Sequence, residues 1–235
     1  MASFSIVLGA LPEEVFEIQK YFSWKKEIEW NGYTLFEGKL FGVPAVLART
    51  GIGKVHAALL TQRLIDVYNP KAIIFTGLAG ALDKNLNIGD IVVARELIQH
   101  DFSTEVHRHG HVIPKVDRKG AFPIFYSDKE LVKKAMRCKP RSEHKTVAGR
   151  VLTGDQFIAR FETNEDWHFL EELKGDAVEM EGAAVAHVAT VNKVPFVVVR
   201  TISDKADGNA EEDFQLSLAR ASENSVDVVQ CILES

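Results

Sequence analysis

The feature that most constrains this chain is one local design used repeatedly. A short β-branched run, apolar enough to be buried on both faces, stops at a glycine or an acid and hands over to a helical pattern. Chains patterned this way fold as α/β proteins. SIVLGA is the first instance, with Pro12 just inside the following helix, Glu13 and Glu14 in its first turn, and Val15, Phe16 and Ile18 as its apolar stripe. IEW-NG-YTLFEGKL then alternates apolar and polar residues about Asn31-Gly32, a hairpin turn signal, and VPAVLART follows as a strand.

Thr50-Gly51-Ile52-Gly53 closes that strand, and VHAALLTQRLIDVY carries apolar residues at helical spacing up to Pro70. KAIIFTGLAGAL reads as a strand ending in a second glycine-bearing turn, and IGDIVVARELIQHDF as another strand. Residues 100–123 are polar, histidine-rich and weakly periodic, a long loop of the kind that covers a site or a partner surface. A helix is expected from Asp128 to Cys138 and a strand-rich segment in KTVAGRVLTGDQFIA. DAVEMEGAAVAHVATVN combines a strand with a small-residue helix, VPFVVVRTISDKAD is the most apolar strand, and an amphipathic helix runs from about Phe214 to Leu233. The expectation is a single domain over residues 1–235, a three-layer α/β/α fold around a central mixed, twisted sheet.

A formal net charge of −5 removes the basic field that a run of phosphates would need, so neither nucleic acid nor an anionic membrane is an expected partner. The longest apolar stretches, such as Val194 to Val199, fall far below the roughly 18 residues of a membrane span. The N-terminus lacks the charge pattern of a secretory signal. Cys138 and Cys231, far apart and in polar surroundings, read as two free thiols in a reducing compartment, which places the protein in the cytoplasm.

Ligands of open α/β sheets bind beyond the carboxyl ends of the strands. Five such ends carry unusual residues here: Gly9 to Glu14, Thr50 to Gly53, Thr76 to Gly80, Val178 to Glu181, and Ser203-Asp204. Gly53-Lys54 is followed by Val55 and is no P-loop, and neither TGIGKV nor TGLAGA completes G-x-G-x-x-G, so nucleotide-triphosphate and dinucleotide chemistry lose ground. His107, His109 and His111 alternate but imply no fourth ligand, so neither a metal nor another cofactor is expected. Glu14, Glu181 and Asp204 each follow an apolar run, where partial burial shifts a carboxyl's acidity. Each also has a plainer reading: Glu14 as a helix-start acid, Glu181 as a cap of the helix behind it, Asp204 as the holder of a turn.

The succession GALPEEV, TGIGKVHAAL, TGLAGAL, IGDIVV, TGDQFI, VEMEGAAVAHVA and VPFVVVRTISDKAD resembles the 5'-methylthioadenosine/S-adenosylhomocysteine nucleosidases of the nucleoside phosphorylase/hydrolase superfamily, over residues 4 to 230. The resemblance implies hydrolysis of the N-glycosidic bond of a 5'-thio-substituted adenosine to adenine and a thioribose, a step of methionine salvage. Asp204 matches the acid that protonates purine N7, positioned by Ser203, and Glu14 the base that takes a proton from water. Glu181 matches the acceptor of the ribose hydroxyls, with Met180 packed on the sugar beside Val178. Arg200 matches a residue ordering the water, Phe157 and Ile158 the adenine pocket, Gly80 a binding glycine, and Ile52 with Phe214 the wall around the 5' group. Family members are typically homodimers, with a loop from one subunit closing the other's site; Val112 and Ile113 in the polar loop are in keeping with that.

One position departs from the pattern: a serine usually precedes Ala-Gly in the central turn, and here it is Leu78. Leucine cannot hold water or sugar, so it either packs passively or alters substrate choice and turnover. A phosphorylase on this fold needs a cradle for a phosphate dianion, and the Pro-Glu-Glu after the first strand would repel one. A futalosine-type nucleoside hydrolase is a second hydrolytic reading. A catalytically silent nucleoside binder is the reading of another class, encouraged by Leu78 alone.

Overall fold

The computed structural model describes residues 3–102, 124–138, 144–158, 169–205 and 223–234. In chain order the elements are β1 (Ser5–Gly9), α1 (Pro12–Gln19), β2 (Phe22–Trp30), β3 (Tyr33–Leu40), β4 (Val43–Arg49), α2 (Lys54–Tyr68), β5 (Ala72–Ala81) and β6 (Ile91–Gln99). They continue with β7 (Phe125–Tyr126), α3 (Lys129–Arg137), β8 (Thr146–Thr153), α4 (Phe169–Glu172), β9 (Ala177–Glu179), α5 (Gly182–Val191) and β10 (Phe196–Asp204). Residues 223–234 are helical and are called α6.

The hairpin forms where Asn31-Gly32 expects it, both residues taking the positive φ (47° and 83°) that a two-residue turn with the strands' own twist requires. The strands form one mixed sheet. β1 pairs in parallel with β4 and β5, and β4, β3 and β2 extend it as antiparallel neighbours. Beyond β5 the sheet curls. β5 pairs with β10, β10 with β6, β6 with β8, β8 with β9, and β9 returns to β5 at Gly80 and Ala81. That closed circuit of five strands brings the ends of β8, β9 and β10 together, although up to 51 residues separate them in sequence (Thr153 to Asp204).

Alternate residues of each central strand feed opposite apolar clusters. Ile6, Leu8, Ile73, Phe75 and Val198 face the side that holds α2 and α5, while Val7, Ile74, Val197 and Val199 face α1, α3 and α6. Strands buried on both faces explain the uninterrupted apolar runs of the sequence. Among the described residues no helix is long and apolar enough to cross a membrane.

Two expectations are corrected. TGLAG is not a turn: β5 runs straight through it, and its glycines serve close approach by other side chains. Nor are the cysteines free. Cys138, at the end of α3, is bonded to Cys231 on α6, their Cα atoms 5.9 Å apart. α3 and α6 lie side by side on the same apolar cluster, a proximity that spacing in the sequence cannot express. With the thiols bonded, the cysteine count no longer argues for a reducing compartment.

Candidate active site

The three acids meet at one cavity of about 830 Å³, within the range of small-molecule sites. Its walls include Glu14, Ile52, Gly80, Phe157, Ile158, Val178, Met180, Glu181, Ser203 and Asp204. Leu78 lines it as well, 7% exposed. Arg200 does not reach the wall; it stands buried behind it, 1% exposed. Phe214, His107, His109, His111, Val112 and Ile113 lie outside the described residues.

Glu14 sits in the first turn of α1, entered through Pro12. Its Oε2 accepts the backbone N–H groups of Ala10 (2.5 Å) and Leu11 (2.9 Å), and its Oε1 accepts that of Leu78 (3.1 Å). Position 78 therefore serves Glu14 through its main chain, and leucine leaves that bond intact. Burial pushes the Glu14 carboxyl above its ordinary range, opposed by the charge of Arg200 and by these three N–H bonds. With Oε2 doubly engaged and Oε1 singly, one acceptor direction of the carboxylate remains for a water.

Asp204 ends β10, beyond a register shift between Ile202 and Asp204. Such a bulge re-aims side chains at a strand end. The Ser203 hydroxyl donates to Asp204 Oδ2 at 2.7 Å, with the Ala79 carbonyl a weaker alternative at 3.3 Å. Gly80 is paired directly with Asp204, and a β-carbon there would stand 3.0 Å from Asp204 Oδ1, so the glycine leaves the acid its place.

Glu181 follows β9 at the N-cap position of α5 but makes no capping bond; its Oε1 accepts the Gly53 N–H at 2.7 Å. Burial, then the neighbouring Glu179 carboxylate, push it up to about 8, against Arg200 and the Gly53 N–H, with Glu14 adding a smaller upward push. Gly53 takes φ 95°, which a side chain would resist. Its loop is fastened to two others: Lys54 N–H donates to Asp155 Oδ1, after β8, at 3.1 Å, and the Lys54 ammonium pairs with Asp101, after β6, at 2.5 Å.

Motif reading missed Glu179. Its signal was present in V-E-M-E, where acids two apart straddle the end of a strand; Glu179 lines the cavity with its neighbours, but its carboxylate is taken up by Arg200 and the start of α5. Glu179 Oε2 accepts Arg200 Nη2 at 2.5 Å and the N–H groups of Glu181 (3.0 Å) and Gly182 (2.7 Å). Among the described residues no group of three or more His, Cys, Asp and Glu side chains is arranged to hold a metal ion.

The sequence profile of the phosphorylase superfamily matches residues 5–234. A 5'-methylthioadenosine/S-adenosylhomocysteine nucleosidase of Staphylococcus epidermidis is 34% identical over 97% of this chain and 98% of its own. The crystal structure of a nucleosidase of the same name from Colwellia psychrerythraea, in complex with adenine, superposes with TM-score 0.87 at 34% identity, over 100% of this chain and 96% of that one. Futalosine hydrolase of Helicobacter pylori superposes with TM-score 0.86 at 30% identity, over 100% and 98%.

Proposed function

Because this chain belongs to the phosphorylase superfamily and, within it, to the 5'-methylthioadenosine/S-adenosylhomocysteine nucleosidases, we propose how its own residues carry out their reaction. The enzyme is a purine nucleosidase that hydrolyses the N-glycosidic bond of 5'-methylthioadenosine and S-adenosylhomocysteine, releasing adenine and the thioribose product. The observation that carries the mechanism is the opening of Glu14, Glu181 and Asp204 onto one cavity.

Adenine leaves poorly as an anion. Asp204, held by Ser203, delivers a proton to purine N7 as the bond from C1' to N9 breaks and its electron pair moves onto the base. Positive charge then develops on the ribose, and the Glu14 carboxylate faces it. A water bound to the open direction of Glu14 Oε1 attacks C1' and gives its proton to that carboxylate. Exchange with solvent restores both acids. Glu181 takes the ribose hydroxyls beside Met180, while Phe157, Ile158 and Val178 enclose the base and Ile52 borders the 5' group. Arg200 orders the water side from behind, through its charge on Glu14.

A phosphate dianion in the water's place would meet the Glu14 carboxylate, while the Arg200 guanidinium is already engaged by Glu179. Hydrolysis is thus favoured over phosphorolysis. The likeness to futalosine hydrolase supports testing a 6-substituted purine nucleoside alongside the two thio-nucleosides.

The chain is read as one domain over residues 1–235, a three-layer α/β/α arrangement whose sheet closes at one end. Apolar clusters on both faces of the central strands support that reading. A homodimer is supported by the exposed apolar row Ile52, Val55 and Leu59 on and before α2, with Val191 on the neighbouring α5. Cytoplasmic work in methionine salvage belongs to the same proposal. The test is free adenine released from methylthioadenosine, S-adenosylhomocysteine and futalosine with and without phosphate. Release from the thio-nucleosides in phosphate-free buffer is expected. A requirement for phosphate makes the protein a phosphorylase, and tight binding without release makes it a binder.

A further inference from the structure

Closure of the sheet carries Thr153 of β8, Glu179 of β9 and Arg200 of β10 into one buried cluster. The Thr153 hydroxyl donates to Glu179 Oε1 and accepts the Ala183 N–H at 2.9 Å, while Glu179 Oε2 receives Arg200 Nη2 and the first two N–H groups at the start of α5. The Arg200 and Glu179 side chains are only 1% and 2% exposed. The guanidinium also lies over the Phe75 ring, 4.1 Å from its centroid, which fixes its plane. Its other arm reaches toward Glu14. A β-carbon on Gly77 would fall 2.6 Å from Arg200 Nη1 and 2.7 Å from Glu14 Oε1, so these two groups face each other across a glycine that leaves them room.

We infer that Glu179 is a positioning residue of the hydrolysis: it holds Arg200 at the water side of Glu14 and divides one guanidinium charge among the buried carboxylates of residues 14, 179 and 181. The inference rests on the nucleosidase reading of the same cavity. Without Glu179 the guanidinium has no partner on the α5 side, and its full charge falls on the base. Among the described residues, the charged and titratable groups facing the cluster are Arg200 from β10, Glu14 from α1, Glu181 before α5 and His100 after β6. His100 is pushed down to about 4, chiefly by burial, and is neutral at working pH. Glu179 raises Glu181, whereas Arg200 lowers both Glu181 and Glu14. The charge is therefore shared unevenly, and Glu179 controls the share.

The test is the pH profile of kcat and kcat/KM for adenine release by Glu179→Gln, which keeps the side-chain shape and removes the charge. The expected result is a loss of about ten- to hundredfold in kcat, by analogy with the loss seen when the hydrogen-bond partners that orient metal-ligating side chains are removed. The limbs of the profile that belong to Glu14 and Glu181 should both move to lower pH, because each loses a carboxylate neighbour or gains a larger share of Arg200. A rate loss with the limbs unmoved, or a wild-type rate, overturns the proposal. Should this variant fail to fold, Glu179→Asp keeps the charge and shortens the reach: a lower kcat with KM within about twofold of wild type supports positioning. Full kcat, with or without a raised KM, overturns it. Wild-type enzyme that releases no adenine removes the nucleosidase reading itself, whereas release with unshifted limbs in Glu179→Gln removes only the role of Glu179.

Discussion

Glu181 occupies the N-cap position of α5, yet its carboxyl turns away from that helix and accepts the Gly53 N–H, 2.7 Å away, at the start of α2. Capping of α5 falls instead to Glu179, which receives the Gly182 N–H. The division joins two helix starts to one site through two acids separated by Met180 alone. It also leaves Glu181 buried beside another carboxylate, and that has a consequence for stability.

In the unfolded chain Glu181 loses its proton near 4.5, whereas in the folded protein it keeps it up to about 8. Between those values the folded state binds more protons, so stability from this group is full below about 4.5 and is lost progressively as pH rises to about 8. Glu181→Gln should flatten the fall in melting temperature across that interval relative to wild type. Identical slopes for the two proteins would show that Glu181 titrates normally.

Asp204→Asn keeps the side-chain size and the acceptor for the Ser203 hydroxyl but removes the transferable proton. Adenine release should fall by about 10² to 10⁴, the range for loss of a general acid, with an unchanged melting temperature. Turnover near that of wild type would assign the acid elsewhere.

Gly77→Ala places a methyl group where Arg200 Nη1 and Glu14 Oε1 now converge. Overpacking should cost about 1–3 kcal/mol of stability, read from denaturant unfolding. Displacing base and guanidinium should lower kcat by about a hundredfold. A stable, fully active variant would mean that the convergence is not needed for catalysis.

The bond between Cys138 and Cys231 closes a 93-residue span that includes β8, β9 and β10. Reduction with a dithiol, or Cys231→Ala, should lower unfolding free energy by about 2–4 kcal/mol through the freedom it returns to the unfolded chain. Equal stability in oxidised and reduced samples would count against the bond.

Local chemistry made much of this protein legible. β-Branched runs must be buried, so Ile6 to Leu8 and Val197 to Val199 announce central strands; Asn31-Gly32 can take positive φ, so it announces a hairpin; Pro12 opens a helix. The acids at residues 14, 181 and 204 stand out because each interrupts such a pattern. What local patterning could not express is distance between strands that meet only when the sheet closes. The straight course of β5 through its glycines, the seat of Arg200 behind the wall, the part played by Glu179 and the pairing of the two cysteines all depend on contacts between residues 21 to 125 positions apart. Periodicity records which face of an element is buried; the sharing of one cation among three carboxylates is a property of space, and only the folded chain sets it.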